Sequence, residues 1–126
     1  MKKVVVTGAT GFIGGALTKK LLQKGIKVYA IDINQERLDE LKKYGDVVTI
    51  NARFEDYKDL HTKIFDDIDV VYHFAWNGVF GDSFKDYELQ LLNTKYSCDA
   101  LLLAKKLGAR KFVFAGTNNE FEVQKY

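Results

Sequence analysis

Proline is absent from the 126-residue sequence, and no segment is rich in proline, serine or glycine. Nothing therefore marks a linker between domains, and the length is that of one domain. Cysteine is nearly absent too, because Cys98 stands alone and cannot form a disulfide within the chain. A lone cysteine fits a reducing compartment. We expect its thiol to be buried and structural rather than reactive.

No charge of one sign dominates the sequence. The formal net charge is +2, from 19 lysines and arginines against 17 acidic residues, and the lysine pairs are spread along the chain. This pattern argues against a nucleic-acid-binding protein. No apolar run approaches the roughly 20 residues of a membrane span, and the apolar start at Val4 is broken too early for a signal peptide. With 47% apolar residues, we expect a globular cytoplasmic protein without a membrane partner.

Strand-like and helix-like segments alternate along the chain. Continuous β-branched runs predict strands, and apolar residues at helical spacing predict the helices between them. The predicted strands are 3–7, 27–31, 46–50, 69–74 and 111–115, and the predicted helices are 12–24, 35–43, 56–65 and 84–107. Such alternation predicts an α/β fold with right-handed crossovers, a doubly wound parallel sheet of the Rossmann type with strand order 3-2-1-4-5.

The turn between the first strand and the first helix reads TGATGFIG, with glycine at Gly8, Gly11 and Gly14. A strand-to-helix turn aims backbone N–H groups and a helix N-terminus at one point, which suits a pyrophosphate. We predict that Gly8 allows the tight turn, Gly11 lets the backbone approach the phosphates, and Gly14 lets the helix pack close to the strand. Asp32 lies 18 residues after Gly14, at the end of the second strand. Its position predicts binding of ribose hydroxyls, and hence a dinucleotide site.

The spacing G-x-x-G-x-x-G, with the later segments VVYHFAW and KFVFAGT, resembles the extended short-chain dehydrogenase/reductases. Within them it resembles the NAD-dependent epimerase/dehydratase family that acts on nucleotide sugars, over nearly the whole chain. The resemblance implies NAD as cofactor and a nucleotide sugar as substrate. It also implies that Thr117 takes the place of the catalytic Ser/Thr that hydrogen-bonds the reacting sugar oxygen. The predicted cofactor-binding residues are Gly8, Gly11, Phe12, Ile13, Gly14, Asp32, Ile33, Arg53, Phe54, Phe74, Ala75, Trp76 and Asn93.

The sequence departs from the family pattern at four places. The segment AGTNNE stands where the family usually has S-S-S or S-T-D, so Thr117 is its only hydroxyl. Arg53 and Phe54 stand where the family commonly has an aspartate that meets the adenine, and Trp76 stands where it has a small residue. None of the tyrosines has a lysine four residues later, so the family's Y-x-x-x-K acid/base pair is not in this sequence, whose last residue is Tyr126. We therefore expect residues 1–126 to be the NAD(P)-binding part, truncated after strand 5 and inactive by itself.

Three functional hypotheses remain open from the sequence. The first is the cofactor-binding part of a nucleotide-sugar epimerase or dehydratase that works by transient hydride transfer at a sugar carbon. The second is a non-catalytic module that senses a dinucleotide or mediates an interaction, and the third is a reductase of a small carbonyl compound. The fifth strand has an unpaired edge, and a long helix spans 84–107. These features predict either self-association, that is, a homo-oligomer, or marginal stability.

Other residues that could form a site are sparse. His73 lies inside a strand-like run and is predicted to be a packed core residue, whereas His61 is predicted to lie on the surface. The acidic segment 65–69 (FDDID) does not cluster with histidine or cysteine. We interpret it as a solvated turn and predict no metal site.

Overall fold

The computed structural model describes residues 2–116. Thr117 lies outside these residues. Within the described part, strands and α-helices alternate in the order β1 (Lys3–Thr7), α1 (Phe12–Gln23), β2 (Lys27–Asp32), α2 (Gln35–Glu40), β3 (Val47–Asn51), β4 (Val70–His73), α3 (Tyr87–Lys106) and β5 (Lys111–Phe114). Short 3₁₀ segments follow α2 at Leu41–Tyr44, follow β3 at Phe54–Lys63, and precede α3 at Gly81–Lys85.

The strands of the described part form one parallel sheet in the order β3-β2-β1-β4-β5. This confirms the predicted fold class and strand order. The last residue of β1, Thr7, is in register with Ile31 of β2 on one side and His73 of β4 on the other. The carboxyl ends of these strands therefore lie together along one edge of the sheet, where ligands bind in this fold.

The sheet is covered on both faces. Val4 and Val6 of β1 pack with Leu21 of α1 and Leu38 of α2, whereas Val5 faces the opposite cluster, which holds side chains of α3 and of the 3₁₀ segment Phe54–Lys63. The three valines have no exposed surface. This double burial is the reason for the continuous β-branched run in β1, since a strand covered on both faces has no polar side.

Three predicted helices differ from the structure. The helix predicted over 35–43 is an α-helix only to Glu40 and continues as the 3₁₀ segment Leu41–Tyr44. The helix predicted over 56–65 is a 3₁₀ segment that begins earlier, because the Arg53 N–H donates to Asp56 Oδ2 at 2.9 Å and caps the chain there. The helix predicted over 84–107 is interrupted at Asp86, whose side chain accepts hydrogen bonds from the N–H groups of Glu88 and Leu89. A side chain that caps first-turn N–H groups fixes where a helix begins, so α3 starts at Tyr87.

The prediction for Cys98 was wrong, because its side chain is exposed. The buried stripe of α3 includes Asn93, Ala100 and Ala104, and Cys98 lies two residues from Ala100, which turns it away from the core. The prediction for the two histidines was right: His73 is 3% exposed and His61 is on the surface.

The acidic segment 65–69 is also more than a solvated turn. Asp66 is partly buried and forms ion pairs with Lys3 Nζ at 2.9 Å and Lys27 Nζ at 2.8 Å, and it accepts a hydrogen bond from the Tyr29 hydroxyl. Among residues 2–116, no group of three or more His, Cys, Asp or Glu side chains is placed to hold a metal ion. No helix in that part of the chain is long and apolar enough to cross a bilayer.

Candidate functional site

A groove with a volume of about 780 Å³ runs along the edge of the sheet where the strands end. It crosses the carboxyl ends of β1 and β2, the chain after β3 and the chain after β4, at the point where the strand order reverses. That reversal is where doubly wound sheets bind their ligands. Nine of the predicted cofactor-binding residues line it: Gly8, Gly11, Asp32, Ile33, Arg53, Phe54, Phe74, Ala75 and Trp76.

The other four predicted residues are not part of the groove lining. Phe12 and Ile13 form the first turn of α1 and are largely exposed, at 97% and 55%. Gly14 is buried beneath the loop, and Asn93 lies in α3 behind the chain that follows β4. Their predicted contacts with the cofactor stay predictions.

The glycine loop between β1 and α1 leaves no space for side chains at two positions. Gly8 has a φ of +66°, and a Cβ there would lie 2.7 Å from the backbone nitrogen of Ala75. A Cβ on Gly14 would lie 2.0 Å from the Gly8 carbonyl oxygen. Gly14 thus allows the helix to approach the loop itself, rather than the strand as predicted. Gly8 thus lets the loop pack against the chain that follows β4, and Gly14 lets α1 pack against the loop.

Gly11 has a different role, because it lies at the open side of the loop. It is the N-cap of α1 and is exposed, so the first-turn N–H groups have no capping side chain. Such N–H groups, together with the helix dipole, attract an anion. A Cβ on Gly11 would stand 3.3 Å from the Gly8 carbonyl oxygen and otherwise project into free space. The backbone at Gly11 is therefore open to a phosphate group.

The Asp32 carboxylate closes one side of the groove and shapes the glycine loop. Oδ2 accepts hydrogen bonds from the Thr10 N–H at 2.9 Å and the Thr10 hydroxyl at 2.7 Å, and Oδ1 accepts from the Ile33 N–H at 2.7 Å. A carboxylate has about four acceptor positions, so one position on Oδ1 is left. Within the described residues, no lysine or arginine forms an ion pair with Asp32. Its charge is therefore available to a hydroxyl donor of a ligand.

A buried polar chain links β1, β4 and α3 beneath the groove. The Ser97 hydroxyl donates to the Asn93 carbonyl at 2.9 Å, so it accepts from His73 Nε2 at 3.1 Å. His73 Nδ1 then accepts from the Thr7 hydroxyl at 2.7 Å, and the Thr7 oxygen accepts from the Ala75 N–H at 3.4 Å. Each donor has one acceptor, which fixes the neutral His73 ring with its proton on Nε2. Burial lowers the pKa of His73 to about 4.

Asn93 fastens the chain after β4 to α3. Its Oδ1 accepts from the Asn77 N–H at 3.0 Å, and its Nδ2 donates to the Asn77 carbonyl at 2.7 Å. These two bonds pair the side-chain amide with one backbone unit, so Asn93 supports the groove from behind. The predicted contact of Asn93 with the cofactor stays a prediction.

The sequence model of the NAD-dependent epimerase/dehydratase family matches residues 4–125. The chain belongs to this family. An uncharacterized oxidoreductase of Schizosaccharomyces pombe is 31% identical over 97 residues, which are 73% of this chain and 29% of that protein.

Solved structures with the same fold include two nucleotide-sugar epimerases. A UDP-glucuronic acid 4-epimerase of Bacillus cereus, in complex with NAD, is 28% identical with a TM-score of 0.70, over 91% of this chain and 40% of that one. A UDP-N-acetylglucosamine 4-epimerase of Methanobrevibacter ruminantium is also 28% identical, with a TM-score of 0.76, over 93% of this chain and 38% of that one. The chain thus spans less than half the length of these relatives.

The family's cofactor is NAD, and the groove fits it in three respects. The glycine loop has no room for Cβ atoms at Gly8 and Gly14, which keeps its backbone close to the groove. The N-terminus of α1 faces the groove at Gly11, and the Asp32 carboxylate, which forms no ion pair in the described residues, lies beside it. An open N-terminus suits the pyrophosphate and the carboxylate suits the ribose hydroxyls. Ala75 and Trp76 line the other end of the groove, on the side of β4.

The end of the groove near β3 differs from the family pattern, as the sequence indicated. Arg53 and Phe54 both line it. The Phe54 ring stacks on Tyr96 of α3, with 4.8 Å between ring centroids and 8° between planes. The stacking holds the Phe54 ring in place at this end of the groove, whereas Arg53 donates its backbone N–H to the local cap.

Several groove residues lie outside the predicted set. Thr10 could have been found, because a hydroxyl inside a glycine loop can reach the acidic residue at the end of the next strand. For Tyr57 and Asn77 the sequence carries no such signal, since loop geometry alone brings them to the groove. The additional lining residues are Thr10, Asn34, Arg37, Asn51, Ala52, Glu55, Tyr57 and Asn77.

Proposed function

We propose that the chain is the NAD(P)-binding Rossmann domain of a nucleotide-sugar epimerase or dehydratase that uses NAD. The supporting observation is the joint position of Gly11 and Asp32: an open helix N-terminus and an unpaired carboxylate face one groove at the strand-order reversal. Asp32 then binds the adenosine ribose, the Gly11 region binds the pyrophosphate, and Ala75 lies along the other half of the dinucleotide. Bound NAD supplies a hydride acceptor and donor, which allows a sugar carbon to be oxidised transiently and reduced again.

The substrate class rests on the relatives, two of which act on UDP-sugars according to their names. In this proposal Thr117, which is outside the described residues, orients the reacting sugar hydroxyl. A hydroxyl without an adjacent base is a poor proton acceptor near neutral pH, and general acid–base catalysis contributes typically about 10²–10⁴-fold. None of the seven tyrosines has a lysine four residues later within the sequence. We therefore propose that the 126 residues bind NAD but do not turn over a nucleotide sugar by themselves.

The test combines binding and turnover in one preparation. NAD binding to the 126-residue chain is measured by calorimetry, and the chain is then incubated with NAD and a panel of UDP-sugars while NADH absorbance and product isomers are followed. We expect NAD binding without isomerisation. Absence of NAD binding would refute the proposal, and turnover that persists in Thr117→Ala would reveal a base that neither sequence nor structure has identified.

A second candidate is a non-catalytic module in which NAD occupancy controls association. It is supported by exposed apolar side chains on α3 and β5, among them Leu91, Leu102 and Phe114, at 65%, 56% and 61%. An association constant that changes with NAD, in a chain with no turnover even when a complete relative supplies the missing part, would favour this alternative. A reductase of a small carbonyl compound would instead consume NADH irreversibly with such a compound.

A further inference from the structure

One side chain, Gln90 of α3, fastens the chain that follows β4. Its Oε1 accepts a hydrogen bond from the indole N–H of Trp76 at 2.9 Å. Its Nε2 donates to the carbonyls of Gly78 at 3.0 Å and Ser83 at 3.2 Å. A single amide therefore ties the groove-lining Trp76 and the following loop to the first turns of α3.

The orientation of this amide is fixed by its neighbours. Oε1 of Gln90 accepts from a second donor, Asn93 Nδ2, at 3.2 Å. A flipped amide would direct its N–H groups at the donors of Trp76 and Asn93, and its oxygen at two carbonyls. Only one orientation satisfies all partners, so the acceptor that faces the indole is held in place.

The loop after Trp76 has little freedom to move away from α3. Gly78 has a φ of +75°, and a Cβ there would lie 2.6 Å from Leu89 Cδ2 and 2.9 Å from the Ser83 carbonyl oxygen. This close approach requires glycine at that position. The Trp76 side chain, which is 46% exposed, is thus anchored at its nitrogen while its rings remain at the groove.

We infer that Gln90 is a positioning residue that holds the Trp76 indole as the wall of the groove on its β4 side, where the nicotinamide half of a dinucleotide lies. The inference rests on the proposed NAD site. Trp76 lines the groove next to Ala75. The family commonly has a small residue at this position, so Trp76, held by Gln90, gives this groove a larger wall that is fixed by a hydrogen bond. The wall contacts the half of NAD that ADP lacks, so its effect is specific to the complete dinucleotide.

The test is a double-mutant cycle on the 126-residue chain. Gln90→Met removes the amide donor and acceptor but keeps a side chain of similar length. Trp76→Phe removes the indole N–H, and the double variant combines the two changes. Gln23→Met is the matched control, because Gln23 is exposed at the far end of α1. Calorimetry measures the affinity of each variant for NAD and for ADP, and circular dichroism confirms folding.

We expect Gln90→Met and Trp76→Phe each to weaken NAD about threefold to tenfold, the range of one hydrogen bond. The double variant should lose no more than the larger single loss, because both changes break the same contact. ADP affinity should stay within about twofold, as should both affinities in Gln23→Met. Unchanged NAD affinity, additive losses, or equal weakening of NAD and ADP would each overturn the inference.

Fluorescence separates this inference from the proposed function, since Trp76 is the only tryptophan. Without ligand, acrylamide should quench the Trp76 fluorescence more strongly in Gln90→Met than in the parent chain. In Gln23→Met the quenching should be unchanged. Equal accessibility would refute the positioning role even if NAD binds. A parent chain that binds no NAD would refute the proposed function instead, and the acrylamide comparison would still decide whether Gln90 holds Trp76.

Discussion

Two aspartates at opposite edges of the sheet each accept three hydrogen bonds, but from different kinds of donor. At the carboxyl edge, Asp32 is bound by two backbone N–H groups and the Thr10 hydroxyl, all of them neutral. At the amino edge, Asp66 is bound by the ammonium groups of Lys3 and Lys27 and by the Tyr29 hydroxyl. One carboxylate keeps its charge facing a groove, and the other is neutralised by its partners.

The difference shows that an aspartate can line a ligand groove at one edge of the sheet and join neighbouring strands at the other. Hydrogen bonds from Lys27, Tyr29 and Lys3 hold the pKa of Asp66 well below its usual range. They also join the starts of β1 and β2 to the turn that precedes β4. Neutral donors at Asp32 orient the carboxylate without cancelling its charge, which leaves it suited to ribose hydroxyls.

The largest expected effect is at the carboxyl edge. Gly11→Val places a branched side chain where the pyrophosphate would lie, and we expect NAD binding to fall at least about a thousandfold. The free energy of unfolding should change by only about 1 kcal/mol, because the added Cβ meets one backbone atom, the Gly8 oxygen at 3.3 Å.

Gly15→Ala is the control for this substitution, since its Cβ would make an ordinary contact at 3.4 Å one turn away from the groove. It should bind NAD like the parent chain. Normal NAD binding by Gly11→Val would mean that the glycine loop is only a tight turn.

The next effect is on acid stability at the carboxyl edge. The pKa of His73 falls from 6.5 to about 4 through burial, so the unfolded chain binds the proton more readily than the folded one. The contribution of the neutral His73 ring to the free energy of unfolding is complete above pH 6.5 and is lost as the pH falls toward 4. The free energy of unfolding should fall by up to about 3 kcal/mol over this interval.

Urea unfolding at a series of pH values measures this loss. In His73→Gln the slope over that interval should disappear, whereas Asp66→Asn should retain it, because the depressed pKa of Asp66 makes its contribution vanish only at more acidic pH. An unchanged slope in His73→Gln would show that another group titrates there.

A smaller effect tests the two carboxylates directly. Asp32→Asn should weaken NAD about tenfold, the cost of one charge-assisted hydrogen bond, and should narrow any preference for NAD over NADP. Asp66→Asn should leave NAD affinity unchanged and lower the melting temperature instead. Calorimetry and thermal unfolding of both variants decide this, and equal losses of NAD affinity would remove the distinction between the two edges.

The smallest effect concerns the lateral edge formed by β5 and the neighbouring face of α3. We propose weak self-association through this surface, with a dissociation constant of order micromolar. Sedimentation should show larger species as concentration rises, and Leu102→Lys or Phe114→Lys should reduce them. Phe65→Lys is the control, because Phe65 is 89% exposed next to Asp66 at the amino edge. A parent chain that stays monomeric at high concentration would contradict the proposal.

Much of the fold could be predicted because its signals are local. The unbroken valine run of β1 indicates burial on both faces, and the spacing of Gly8, Gly11 and Gly14 together with Asp32 indicates a dinucleotide turn. These features depend on neighbours within one strand-turn-helix unit. Of the nine predicted residues that line the groove, four lie in the glycine loop or at the end of β2. The other five follow β3 and β4 and were implied by the family resemblance.

The features that sequence reasoning missed depend on residues far apart in the chain. Asp66 meets Lys3 and Lys27 across separations of 63 and 39 residues, so its role could not be separated from that of a solvated turn. Gln90 meets Trp76 only because the loop between them folds back on α3. The exposure of Cys98 could not be predicted for a similar reason, because it depends on which side of α3 packs against the core.

The central position of β1 has a consequence for how the chain acquires its shape during synthesis. Thr7 leaves the ribosome early, yet its partner His73 follows 66 residues later, and the Ala75 nitrogen that abuts Gly8 comes later still. Pairing across such a separation is entropically slow. The nascent chain can therefore pair β1 with β2 and β2 with β3 early. The backbone of Phe74 and Ala75, against which Gly8 packs, is absent until the chain beyond β4 has emerged. The groove at the strand ends is therefore complete only after β4 and the chain that follows it have joined β1.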